Sequence, residues 1–93
     1  MKTILLILVD HRKETAVNVQ KTLTAWGCLI KTRLGLHQGV QKDCTETGLI
    51  ICELVGEESQ IMELKRKIEL IKGVSAELVT LKLKDWLDCQ KIM

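Results

Sequence analysis

The sequence predicts an α+β fold of the ferredoxin-like type, in which a four-stranded antiparallel sheet carries two helices on one face. Two segments place apolar residues three and four positions apart, which is typical of amphipathic helices. Other segments are alternating or continuously apolar over short runs, which is typical of strands. The segments follow one another in the order βαββαβ, and this order predicts the fold.

The element boundaries follow from the same patterns. The predicted elements are strand 3–10, helix 12–26, strand 28–37, strand 48–55, helix 57–72 and strand 74–84. The apolar sides of the two helices are predicted to comprise Ala16, Val19, Leu23 and Trp26 in the first, and Ile61, Leu64, Ile68 and Ile71 in the second. Gly27 and Gly73 follow these helices, and we expect Gly27 to form a left-handed cap.

A chain of 93 residues is long enough for one domain. We assign residues 1–84 to this single domain and residues 85–93 to a C-terminal tail. Trp86 and Leu87 in the tail favour a short helix.

The composition argues against a nucleic-acid partner. The chain carries 14 basic and 12 acidic residues, so its formal net charge is +2. A charge so near balance provides no broad field for phosphates. Phe and Tyr are absent, so there are few aromatic rings on which bases could stack. We expect no nucleic acid among the partners.

The apolar run from Ile4 to Val9 is too short for a signal peptide or a membrane span, and Asp10 follows it directly. We therefore expect a cytoplasmic protein with no membrane partner. Its cysteines should be free thiols, because the reducing cytosol disfavours disulfides and no C-x-x-C pair is present. These cysteines are Cys28, Cys44, Cys52 and Cys89.

The strands predict a sheet that is apolar on both faces. Two helices can cover only one face, and a second apolar face of this size should not stay exposed in a soluble monomer. We therefore predict self-association into a dimer or tetramer, either sheet on sheet or edge on edge. The predicted interface residues are Leu5, Ile7, Val9, Ile51, Val55 and Val79. The alternative is that the tail folds back over the open face with Trp86 as a plug.

Four short motifs resemble the regulators of the iron-only hydrogenase system. They are Arg33-Leu34-Gly35, Gly48-Leu49-Ile50-Ile51, Leu54-Val55-Gly56 and Ile71-Lys72-Gly73-Val74. That family is ACT-like, and its fold is similar to the C-terminal domain of the nickel-responsive regulator. The resemblance implies a homo-oligomeric regulatory domain without catalysis. It also implies a small ligand near the first strand-to-helix loop, which here contains His11.

His37 and Cys44 lie near the two ends of the connection between the second and third strands. Imidazole and thiolate suit zinc, iron or nickel, so the pair is a candidate metal site if a symmetry-related chain supplies further ligands. The alternative is a surface histidine and a half-buried cysteine.

Arg33 and Gly35 are the other candidate ligand-binding residues, together with His11. Gly35 leaves room for a ligand to approach the backbone, and Arg33 could hold a carboxylate or phosphate by two contacts. The alternative is that Gly35 marks a β-bulge and Arg33 pairs with an acidic neighbour such as Glu53.

Two hypotheses of function follow. The first is a non-catalytic, homo-oligomeric regulatory domain that senses a small molecule or a metal ion. The second is a structural interaction module without a ligand. A cysteine-dependent enzyme ranks third, because Cys44 and His37 lack a well-placed acid to orient the base. We therefore expect no enzymatic activity.

Overall fold

A computed structural model of the chain describes residues 1–37 and 47–83. The elements are β1 (Lys2–Val9), α1 (Lys13–Ala25), β2 (Ile30–His37), β3 (Gly48–Leu54), α2 (Glu58–Glu69) and β4 (Val74–Leu81), with one turn of 3-10 helix at Gly27–Leu29 before β2. This order confirms the predicted βαββαβ fold, which is ferredoxin-like and ACT-like. The predicted tail, residues 85–93, and its Trp86 lie outside the described residues.

The four strands form one antiparallel sheet in the order β2-β3-β1-β4. β1 is central because it pairs with both β3 and β4. Its residue Leu5 lies between Cys52 of β3 and Leu78 of β4, and Ile7 lies between Ile50 and Ala76. This register decides which residues of every strand share a face.

Both helices cover one face of the sheet and close a single core. Val19 and Leu23 of α1 and Leu64 and Ile68 of α2 are fully buried there. Each buried aliphatic side chain of this kind stabilises the fold by about 1.5–3 kcal/mol. Packing of the helices against the sheet therefore contributes strongly to the stability of the fold.

The prediction that Leu5, Ile7 and Val9 face outward is wrong. Their side chains are 0%, 0% and 5% exposed and belong to the core under the helices. β1 is apolar at nearly every position, so alternation alone did not reveal which set the helices cover. The opposite set, Ile4, Leu6 and Leu8, faces away from the core.

The apolar side of α2 is confirmed, since Ile61, Leu64 and Ile68 are buried and Ile71 packs beside them. α1 differs from the prediction at one position: Thr15 is buried and Ala16 is exposed. The hydroxyl of Thr15 donates a hydrogen bond to the carbonyl oxygen of Lys72 at 3.3 Å, which allows a polar side chain to be buried.

Glycine has a special backbone role at Gly56 and Gly73, whose φ angles are 121° and 91°. The predicted left-handed cap at Gly27 is wrong. There the chain continues into the 3-10 turn, and the backbone N–H of Leu29 donates to the carbonyl oxygen of Trp26.

No helix within residues 1–37 and 47–83 has the length and apolar character needed to cross a membrane.

Candidate functional site

The side of the sheet opposite the helices, which we call the outer face, carries a contiguous apolar patch. Leu6 lies opposite Ile51, which lies opposite Leu34 on the next strand, and Leu8 lies opposite Leu49. Leu8 and Leu34 are 47% and 51% exposed, whereas a core leucine such as Leu5 is fully buried. The apolar patch is defined as Ile4, Leu6, Leu8, Leu34, Leu49 and Ile51.

Three of the predicted interface residues are accessible. Ile51 lies in the apolar patch, Val79 on β4 lies opposite Ile4, and Val55 follows the end of β3. Val79 and Val55 are 36% and 42% exposed. These three positions remain available for contact with another molecule, unlike Leu5, Ile7 and Val9.

An ion pair lies beside the apolar patch on the outer face. The Nζ of Lys2 donates to Oε2 of Glu53 at 2.9 Å, and Glu53 is opposite Ile4 in the register. This hydrogen bond lowers the pKa of Glu53, although partial desolvation opposes the shift. The Glu53 carboxylate therefore stays ionised, and the ammonium group of Lys2 balances its charge beside the apolar patch.

The loop between β1 and α1 folds back on itself through Asp10 and Arg12. Oδ2 of Asp10 accepts from Nε of Arg12 at 2.8 Å, and Oδ1 accepts from the backbone N–H of Arg12 at 3.0 Å. These bonds lower the pKa of Asp10 to about 2, the side-chain bond from Arg12 being the larger cause. Asp10 thus holds the chain in the turn from which α1 begins.

The same loop is fastened to the turn between α2 and β4. The backbone N–H of Asp10 donates to the carbonyl oxygen of Gly73 at 3.0 Å. The carboxylate of Asp10 and the guanidinium of Arg12 lie where a Cβ on Gly73 would stand. Glycine suits this position, because its φ of 91° disfavours other residues and a Cβ would displace the Asp10 carboxylate and the Arg12 guanidinium.

A shallow groove of about 160 Å³ lies beside this contact, between the start of α1 and the turn after α2. Two cationic side chains, one carboxylate, one amide and one hydroxyl line it. They belong to Arg12, Lys72, Glu14, Asn18 and Thr15. Sequence reasoning missed this group, because Lys72 meets α1 only through the fold; the sole signal was the polar Asp10-His11-Arg12 loop after a buried strand.

The predicted ligand-binding residues do not form one site. His11 is exposed in the β1–α1 loop. Arg33 and Gly35 lie on β2, opposite Cys52 and Ile50, on the side of the sheet that carries the helices. No atom lies within 4 Å of a Cβ built on Gly35, so this edge of the sheet is open above it.

The alternative considered for β2 is wrong for the bulge at Gly35 and for Glu53 as the partner of Arg33. The irregularity in the register falls between Ile30 and Thr32, so Gly35 is not a bulge. Glu53 lies opposite Thr32 on the outer face and pairs with Lys2, so it does not pair with Arg33.

The predicted metal pair is placed only in part. His37 is the last residue of β2 and lies opposite Gly48, which in turn lies opposite Val9 of β1. The loop that contains His11 begins directly after Val9. Cys44 lies outside the described residues. Within residues 1–37 and 47–83 no group of three or more His, Cys, Asp or Glu side chains could hold a metal ion.

Comparison with known proteins supports the fold. The chain is similar to the uncharacterized protein TM1266 from Thermotoga maritima, with a TM-score of 0.77 and 26% identity over 87% of this chain and 96% of that one. It is also similar to a formyltetrahydrofolate deformylase from Pseudomonas putida KT2440, with a TM-score of 0.56 and 16% identity over 87% of this chain and 29% of the deformylase. No protein-family profile and no curated protein matches the sequence.

Proposed function

We propose that the chain is a non-catalytic regulatory domain that self-associates and responds to a small ligand. The single observation that carries this proposal is the apolar patch on the outer face. The helices cover only the opposite face of the sheet, so the patch is accessible to a second protein surface. The ACT-like fold supports a regulatory role, since such domains typically act through assembly and ligand binding. The resemblance to regulators of the iron-only hydrogenase system supports a role in that system.

The groove between α1 and the turn after α2 is the proposed ligand site. Lys72 offers a positive charge, and Arg12 adds a second one beside its partner Asp10, with Glu14 as the one carboxylate of the lining. Asn18 offers a neutral hydrogen-bonding group. Such a set suits a small polar molecule with a carboxylate or phosphate group. His11 adds an exposed imidazole in the loop that borders the groove.

Arg33 and Gly35 form a second candidate contact for the same class of ligand. Their shared face on β2 is open above Gly35, which supports access by a carboxylate. A metal ion held by His37 and Cys44 is the remaining candidate effector. Extra mass that EDTA removes in native mass spectrometry would support it, whereas unchanged mass would count against it.

Binding at the groove is tested by substitution of Lys72. We expect Lys72→Ala to weaken the thermal stabilisation that simple carboxylates and inorganic phosphate produce, because one of two cations in the groove is lost. Lys21→Ala removes an exposed lysine near the other end of α1 and is the matched control. Equal stabilisation of wild type and both variants would contradict the ligand site.

The alternative function is a structural interaction module with no ligand. The shallowness of the groove favours it, since ligand sites usually bury most of their ligand. An oligomer that no carboxylate, phosphate or metal ion stabilises would support this alternative.

A further inference from the structure

We infer that the outer face binds a second copy of this chain through a two-fold, sheet-on-sheet interface centred on the apolar patch. The inference rests on the self-association in the proposed function and assigns it to one surface. In a two-fold contact the same patch on each copy faces the other. A patch residue that is exposed in the single chain is therefore covered in both copies.

The area is sufficient for such a contact. Four strands spaced about 4.8 Å apart and eight residues rising about 3.3 Å each span roughly 19 by 26 Å, or about 500 Å². If the whole outer face takes part, with β4 at its rim, two copies together bury on the order of 1,000 Å², which is the lower size expected of a specific interface.

The charges on the outer face are arranged for burial of its centre. Lys2 and Glu53 neutralise each other at 2.9 Å on one side of the apolar patch. Glu77 lies opposite Leu6 on the edge strand β4, where a rim position keeps its carboxylate in water. The three neighbouring positions Leu34, Ile51 and Leu6 are all apolar, so a second copy meets no unpaired charge there.

The edges of the sheet are less suited to this partner than its face. The edge strand β2 has a register irregularity between Ile30 and Thr32, which interrupts the row of backbone groups that strand addition needs. The other edge strand, β4, is followed by the exposed Lys82, and a charge of this kind disfavours edge pairing. The apolar patch has neither obstacle.

Two substitutions of equal exposure test the assignment. Leu34 on the outer face and Val17 on α1 are both 51% exposed. We expect Leu34→Glu to raise the dimer dissociation constant about a hundredfold or more in sedimentation velocity, because the two-fold contact would bury two carboxylates, one from each copy. Val17→Glu adds the same charge away from the sheet and should dimerise like wild type.

The other outcomes overturn the inference in distinguishable ways. If wild type and both variants dimerise equally, self-association survives and the outer face is the wrong surface. If wild type is monomeric at hundreds of micromolar, self-association fails as well. If only a chain shortened to Leu83 dimerises, the C-terminal segment covers the face instead. Ligand binding by Leu34→Glu tests the groove independently of all three results.

Discussion

The two faces of the sheet are similar in composition but differ in what covers them. Leu5 and Ile7 point from β1 into a layer of two helices and are fully buried, whereas their neighbours Leu6 and Leu8 point from the same strand to the outer face. Composition therefore does not distinguish the core face of the sheet from its outer face in this protein. The difference is made by the helices, which lie on one side only; within residues 1–37 and 47–83 the outer face keeps exposed apolar side chains such as Leu8 and Leu34, and there we infer that a second copy binds.

The largest expected contrast lies within β1. Leu5→Ala should lower the free energy of unfolding by about 3 kcal/mol, because it leaves a cavity under the helices. Leu8→Ala should cost less than about 1 kcal/mol in a single copy, since the Leu8 side chain is already 47% exposed. Urea unfolding of both variants in a Leu34→Glu background measures this without a contribution from dimerisation. Equal losses at the two positions would contradict the two-face account.

The βαββαβ order and the apolar side of α2 were predictable from the sequence, because Ile61, Leu64 and Ile68 repeat with the period of a helix on an otherwise polar segment. The covered face of β1 was not predictable in this way. Ile4 to Val9 are all apolar, so either set of alternate residues satisfies the pattern. Only the pairing with β3 and β4 and the position of the helices decide between them.

The candidate site was predictable only as a polar loop. Asp10-His11-Arg12 follows a buried strand, but its contact with Gly73 joins residues far apart in the chain. The burial of Thr15 instead of Ala16 has the same origin, because the partner of its hydroxyl is the carbonyl of Lys72. Local periodicity carries no information about such distant partners.

A second contrast concerns two glycines near the helix layer. Gly73→Ala should destabilise the protein by roughly 2 kcal/mol, because its φ of 91° is unfavourable for alanine and the new Cβ meets Asp10 and Arg12. Gly35→Ala should be nearly neutral, because no atom lies within 4 Å of the position that its Cβ would occupy. Thermal unfolding of the two variants tests whether the helix side of the sheet is tightly packed at Gly73 and open at Gly35. An unchanged melting temperature for Gly73→Ala would contradict this difference.

The smallest expected effect is the pH dependence of the loop. Arg12 lowers the pKa of Asp10 from 3.8 to about 2 in the folded chain, so ionised Asp10 stabilises the fold above pH 3.8 and this contribution is lost as the pH falls towards 2. Asp10→Asn should therefore flatten the fall in melting temperature over that window. Glu57→Gln, which removes a carboxylate that makes no capping bond, should keep the wild-type profile. Identical profiles for all three proteins would show that the loop contact does not contribute to stability.

One apolar face of the sheet is covered by the helices, and we infer that a second copy covers the other. Methyl NMR with a soluble paramagnetic agent measures this cover directly in wild type and in Leu34→Glu. We expect the methyl groups of Leu5 to be protected from the paramagnetic agent in both proteins, whereas those of Leu8 should be protected only in the wild-type dimer. Accessible Leu8 methyl groups in wild type, or protected ones in monomeric Leu34→Glu, would contradict it.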